Sequence, residues 1–156
     1  MNALEFNLNN LLTKVYRSLE KLEAEMVRAS RNLDLSINEI HMLEAVELAS
    51  QDEEATITDI STFLDISLPS VTLAVNKLIK KGYVVKKRCD GDARMVRVSL
   101  TREGRRAERA HRYFHRSMVR SVMRELTAEE KAALVKGVSR LDTFLDQNIQ
   151  KYKVIR

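Results

Sequence analysis

The feature that most constrains this chain lies between residues 56 and 100, where two short helical segments joined by a tight turn run directly into a β-hairpin. Thr56-Ile57 reads as a very short strand, and Thr58 as the N-cap of a compact helix carrying Ile60, Phe63 and Leu64. Asp65-Ile66 supplies the turn. Ser67 caps a second helix with Pro69 inside its first turn, where the missing proline N–H costs nothing. This helix is expected to run to Lys81 and stop at Gly82, since glycine takes the left-handed C-terminal position without strain. Tyr83-Val84-Val85 then leads into a basic strand, Lys86-Lys87-Arg88, with Asp90-Gly91-Asp92 as a turn. From Met95 to Leu100 apolar and polar residues alternate, as in a half-buried strand. Helix, turn, helix and hairpin in this order make a winged helix-turn-helix.

The flanks are helical. One proline and four glycines in 156 residues are too few for the many turns of an all-β fold. From about Leu4 to Ser30 a narrow stripe of Leu8, Leu12, Val15, Leu19, Leu22 and Met26 predicts a long helix that packs on other helices, often those of a second subunit. A second helix opens at the capping box Ser36-x-x-Glu39 and turns Ile40, Leu43 and Val46 inward, ending in the polar stretch after Ala49. Thr101 caps a helix reaching about Arg124, with Ala107, Ala110, Phe114, Met118 and Val122 on one side. Thr127-x-x-Glu130 is a further capping box, opening a last helix with Leu134, Val138, Leu141, Leu145 and Ile149 near heptad spacing. The expected fold is mainly α with a small β-hairpin wing. Residues 1–32 and 101–156 are expected to be helical flanks from both termini that serve dimerisation, and residues 33–100 are expected to form the winged helix-turn-helix lobe, the candidate DNA-binding part.

Charge is strongly segregated. The net charge of +5 divides into thirteen Lys/Arg against four Asp/Glu over residues 77–112, and nine Asp/Glu with no Lys or Arg over residues 34–76. Such a focused basic surface suits a polyanion. No apolar run is long enough to span a membrane, and the N-terminus has neither the basic start nor the apolar core of a signal peptide. The lone cysteine, Cys89, excludes an internal disulfide framework and fits a reducing compartment, so a cytoplasmic protein is expected. Catalysis is not: there is no glycine-rich phosphate loop, no nucleophile motif and no metal-ligand cluster in a cleft-forming context, and neither a cofactor nor a metal is expected.

The candidate DNA-reading residues follow from the faces of the second helix of the pair. Val71, Val75, Leu78 and Ile79 share one side and should pack on Ile60 and Leu64. The start of the helix presents Ser67, Leu68, Pro69, Ser70, Thr72, Leu73 and Asn76. Ser70, Thr72 and Asn76 can exchange hydrogen bonds with base edges or phosphates, and Leu68, Pro69 and Leu73 suit a thymine methyl or a sugar. Lys77 is placed for a phosphate, as are Lys87 and Arg88 on the hairpin. In an extended strand Asp92 and Arg94 project to the same side. The carboxylate can then aim the guanidinium into a narrow minor groove.

The stretches Ser67-Leu68-Pro69-Ser70-Val71-Thr72 and Leu78-Ile79-Lys80-Lys81-Gly82-Tyr83-Val84 resemble the recognition helix of the MarR family and its exit. Residues 92–104, with Asp92-x-Arg94, alternating apolars and Leu100-Thr101-x-x-Gly104, are similar to the family's wing signature. The resemblance implies a homodimer knit together by helices from both termini, with one helix in each major groove and one wing in each flanking minor groove. An inverted-repeat site is expected, and a repressor is the working expectation, although the sequence does not distinguish repression from activation. Leu73 departs from the pattern, since many members carry a basic residue there, and this shifts phosphate anchoring to Lys77, Arg88 and the wing. Ser36-Ile37-Asn38-Glu39-Ile40-His41 and the run from His111 to Val119 look like the family's fatty-acid-biosynthesis repressors, which respond to long acyl chains on acyl carrier protein. His41, His111, Phe114 and His115 are candidates for the lining of an effector pocket, and Arg105, Arg106, Arg109, Arg112 and Arg116 suit an acidic carrier, although DNA phosphate explains some of them equally well.

Three alternatives stand beside this reading. The i, i+4 pair His111 and His115, with His41, has a spacing compatible with a metal-responsive regulator, although flanking arginines repel cations. The positive field of Lys86-Lys87-Arg88 favours the thiolate of Cys89, which would suit a redox-responsive regulator, but the family's peroxide sensors keep their reactive cysteine near the N-terminus. The third alternative is a protein-binding module whose basic face docks an acidic partner without DNA. Salt-dependent binding to duplex DNA separates it from a regulator.

Overall fold

A computed structural model of the chain describes residues 2–30, 33–50, 54–89 and 92–154, and within them the side chains of residues 88, 89, 92–95, 153 and 154 are left out of the description. The elements, in order, are α1 (Ala3–Ala29), α2 (Ile37–Ala49), β1 (Ala55–Thr56), α3 (Ile57–Leu64), α4 (Leu68–Lys80), β2 (Val84–Cys89), β3 (Asp92–Leu100), α5 (Arg102–Arg124) and α6 (Ala128–Val154). They fall into two compact units, Met1–His111 and Arg112–Arg156. No single helix among the described residues is long and apolar enough to cross a membrane.

Short side chains at the helix starts satisfy backbone N–H groups that would otherwise lack partners. Asn2 with Glu5, Ser36 with Glu39 and Thr56 with Asp59 form reciprocal capping boxes at α1, α2 and α3. Thr127 and Glu130 do the same at α6. The expected N-cap of α3 was misplaced by two residues. Thr56, not Thr58, caps it, because Asp59 stands three positions later and its carboxylate accepts from the Thr56 backbone N–H at 2.8 Å. Ile57 accordingly joins the helix, leaving Ala55–Thr56 as the short strand.

The turn between α3 and α4 uses Asp65 in the left-handed region, φ 54°, a conformation that aspartate tolerates better than most residues. It is closed by Ile66 N–H donating to the Ser61 carbonyl at 3.2 Å and the Ser61 hydroxyl donating to the Ile66 carbonyl at 2.6 Å. At the far end of α4, Gly82 has φ 80°. Tyr83 N–H reaches the Leu78 carbonyl and Gly82 N–H the Ile79 carbonyl, both at 3.0 Å, which completes the C-terminal cap that glycine permits.

β1, β3 and β2 form a three-stranded antiparallel sheet in that order. Val84 pairs with Leu100 and Lys87 with Arg97, and the register shifts between Arg88 and Cys89. Asp92, expected in the turn, belongs to β3 and pairs with Cys89, while Asp90 and Gly91 lie outside the described residues. Ile40, Leu43, Val46, Ile60, Val71, Val75, Leu78, Val84 and Val98 are fully buried and form one core shared by α2, α3, α4 and the sheet. Gly104 lets α5 start against this lobe. A Cβ there would collide with the Tyr83 carbonyl oxygen, which accepts from Thr101 N–H at 3.0 Å.

Candidate nucleic-acid interface

Helix α4 has one buried and one open side. Val71, Val75 and Leu78 are fully buried, and the outward stripe of successive turns carries Pro69, Leu73, Asn76 and Lys80, all exposed. Leu73 stands at the centre of that stripe with 74% of its surface accessible. Ser67, Leu68 and Ser70 are exposed at the start of the helix, where the Ser67 and Ser70 hydroxyls lie 2.8 Å apart. Thr72 is half-buried at the edge of the outward side. An exposed apolar leucine between short polar groups and a lysine suits a groove that offers methyls, base edges and phosphates together.

The rear of α4 is held by a buried carboxylate. Glu39, only 6% exposed, places Oε1 3.1 Å from Lys77 Nζ and Oε2 3.1 Å from Lys81 Nζ. Oε2 also accepts from the Ser36 backbone N–H at 2.7 Å. Burial alone would raise the pKa of this carboxyl. The Ser36 N–H and the two ammonium groups outweigh it and hold the group down at about 2. Lys81 donates further to the Asp34 carbonyl at 2.6 Å, and its carboxylate partners favour its charged form against the opposing effect of desolvation. Lys77, expected on a phosphate, therefore already shares its charge with Glu39, although 61% of its side chain stays open to solvent.

The wing meets the recognition helix directly. Lys86 on β2 donates from Nζ to Asn76 Oδ1 at 2.6 Å, a tie between wing and helix that the sequence pattern does not announce. Lys87 is exposed beside it. Arg88, Asp92 and Arg94 have their backbones in the paired strands β2 and β3, and their side chains lie outside the described residues, as does that of Cys89.

Of the four residues read as an effector pocket, two come together in the first unit. The rings of His41 and His111 lie 5.4 Å apart, with His111 buried and His41 exposed. His41 Nε2 is 3.6 Å from a Glu23 carboxylate oxygen, and His111 Nδ1 is 3.8 Å from one of Glu44. In the second unit Phe114 and His115 meet edge to face, with ring centroids 5.4 Å apart. None of the four lines the cavity of about 480 Å³ in the first unit, which is bounded chiefly by Ala29, Leu33, Tyr83, Arg106, Ala107 and Ala110. The periodic pattern missed this cavity, because its walls come from four separate segments and only the small alanines of α1 and α5 hint at open space.

A family model described as "MarR family" matches residues 33–95. Among solved structures, FabT of Streptococcus pneumoniae in complex with DNA is 31% identical with a TM-score of 0.83, covering 92% of this chain and 98% of that one. A variant of MepR from S. aureus, 18% identical, superposes with a TM-score of 0.71 over 88% of this chain and 97% of its own, a likeness of fold. The HTH-type transcriptional regulator YwhA of Bacillus subtilis (strain 168), itself uncharacterized, is 27% identical over 90% of this chain and 96% of its length.

Proposed function

This chain belongs to the MarR family of DNA-binding, winged helix-turn-helix transcription regulators, and from that premise we propose that it acts as a homodimeric repressor on an inverted-repeat DNA site. The family consists of regulators and not enzymes, so its work is binding. Each protomer lays α4 in a major groove and its β2–β3 hairpin along the flanking minor groove, with the half-sites about one helical turn apart. One observation carries the reading. A rigidly backed helix leaves Pro69, Leu73, Asn76 and Lys80 exposed on one stripe, directly beside a basic wing. The similarity to FabT, whose complex with DNA is known, supports the same use of these elements. Dimer contacts fall to residues 1–32 and 101–156, and the chain works in the cytoplasm.

A ligand modulates the complex. The runs Ser36–His41 and His111–Val119 favour an acyl chain, free or on acyl carrier protein, as that effector, and its binding shifts the balance between two spacings of the recognition helices. The test is titration of the protein into a labelled random duplex and a selected duplex over a range of salt. A regulator binds both with a steep negative slope of log K against log salt, and the selected site at least ~10³-fold more tightly. Absence of any salt-dependent binding would refute the proposal in favour of a protein-only adaptor. For the effector, long-chain acyl carrier protein should change operator affinity at least ~5-fold where the unacylated carrier does not.

A further inference from the structure

We propose that Lys86 of the wing sets the base preference of Asn76 on the recognition helix, by holding its amide so that the NH₂ end is the one offered to DNA. The inference rests on the reading that α4 enters a major groove. An ammonium group has only hydrogens to give, so the 2.6 Å contact from Lys86 Nζ assigns the near atom of the amide as the oxygen, Oδ1. Asparagine reads adenine with both ends at once, Oδ1 accepting from N6–H and Nδ2 donating to N7. That mode requires both atoms to face one base edge together. Here one lone pair of the oxygen is already taken by Lys86 on β2, which weakens the accepting end of the pair and leaves the two N–H donors as the free groups. Such a group matches an edge that only accepts, chiefly guanine with its O6 and N7.

Electrostatics favours the same outcome. The Lys86 ammonium adds positive potential beside the amide, which attracts the paired acceptors of guanine and repels the exocyclic amino group of adenine. Asn76 and Lys86 are both exposed, so the pair is open to DNA. The backing is firm: Val75, the preceding residue, is fully buried, and Lys77, the following one, is tied to Glu39. Lys86 is thus a positioning residue, acting on specificity through Asn76.

The experiment selects binding sites from a randomised half-site library with the full-length wild type, Lys86→Met and Asn76→Ala. Lys86→Met keeps the aliphatic stem and removes the donor, and an unchanged melting temperature confirms that this exposed substitution leaves the fold intact. Wild type should prefer guanine over adenine about tenfold at one position of each half-site. Asn76→Ala should flatten that position. Lys86→Met should move the same position toward adenine about fivefold, leaving the others unchanged, because the freed amide regains its two-ended mode. A Lys86→Met protein that binds every sequence equally more weakly would overturn the proposal, since Lys86 would then be a phosphate contact only. A wild-type preference for adenine, or an Asn76→Ala protein with an unaltered profile, would overturn it as well, while a retained inverted repeat would keep the regulator reading. Only a wild type that selects no sequence at all would sink both.

Discussion

Helices α4 and α6 both carry apolar stripes, but within one chain only α4 covers its own. Val71, Val75 and Leu78 are completely buried against α2, α3 and the sheet. On α6, Val138, Phe144 and Ile149 are each half or more exposed, Leu145 is 49% exposed, and none of its described side chains is buried. α1 behaves like α6, with Leu8 and Val15 more than half exposed. Burying a large aliphatic side chain stabilises by roughly 1.5–3 kcal/mol, so the lobe gains its stability within the protomer. Exposed apolar side chains repeated along a helix suit a partner surface. The lobe buries its apolar side chains within one chain, whereas the terminal helices leave theirs exposed, which supports the proposal that they serve dimerisation.

The largest expected effect breaks that comparison at its weaker half. Deleting residues 127–156 removes α6 and should convert a stable dimer into a monomer, read as a halving of mass in sedimentation equilibrium. A dimer that survives the truncation would refute the assembly. Next come paired truncations. Leu78→Ala should cost the lobe about 2–5 kcal/mol in urea unfolding, because it opens a cavity in a closed core. Leu145→Ala should leave the folding of the lobe unchanged and weaken self-association by about 1–3 kcal/mol, read from the dimer dissociation constant. Equal losses of lobe stability in the two variants would erase the distinction between the regions.

The comparison also shows what local sequence can carry. Every helix start is announced by an oxygen-bearing side chain, in four cases with a carboxylate three residues later, so the element order is legible from spacing alone. Even the Thr56/Thr58 misplacement is a choice between two threonines that Asp59 decides. The exposed stripe of α4 is legible for the same reason, since it is the complement of its apolar side. The ties of Glu39 to Lys77 and Lys81, of Lys86 to Asn76, and of His111 to Glu44 are not. They join residues whose distance in space is set by how elements pack, and no period within a single element encodes it. Lys77 illustrates the loss: charge and position alone make it a phosphate contact, and only the packing of α2 on α4 gives it Glu39.

That tie has a pH signature confined to the lobe. Glu39 falls from an ordinary 4.5 to about 2 on folding, so its ionised form is the one that the folded state favours. Its contribution is fully present above about pH 4.5 and disappears as pH falls through about 2. Glu39→Gln should destabilise by about 2 kcal/mol at pH 7, since the buried carboxylate loses its charge-assisted contacts to the Lys77 and Lys81 ammonium groups. The deficit relative to wild type should shrink as both are unfolded at progressively lower pH. A deficit constant from pH 7 to pH 2.5 would show that the carboxylate charge contributes nothing.

The smallest effects sharpen the comparison most, because they differ in sign. Gly82 sits at φ 80° after α4, and alanine there is strained whatever the space around it, so Gly82→Ala should lose about 1 kcal/mol. Gly137 is in the interior of α6 with nothing within 4 Å of where a Cβ would stand. In an isolated helix alanine is better than glycine by about 0.8–1 kcal/mol, so Gly137→Ala should stabilise by roughly that amount. The measurement is thermal unfolding at two protein concentrations. A gain independent of concentration means that this side of α6 stays open in the dimer. A loss that grows on dilution means that the partner approaches Gly137 closely enough to forbid a methyl group, which would place the glycine at the helix–helix contact and mark the side of α6 that faces the second chain.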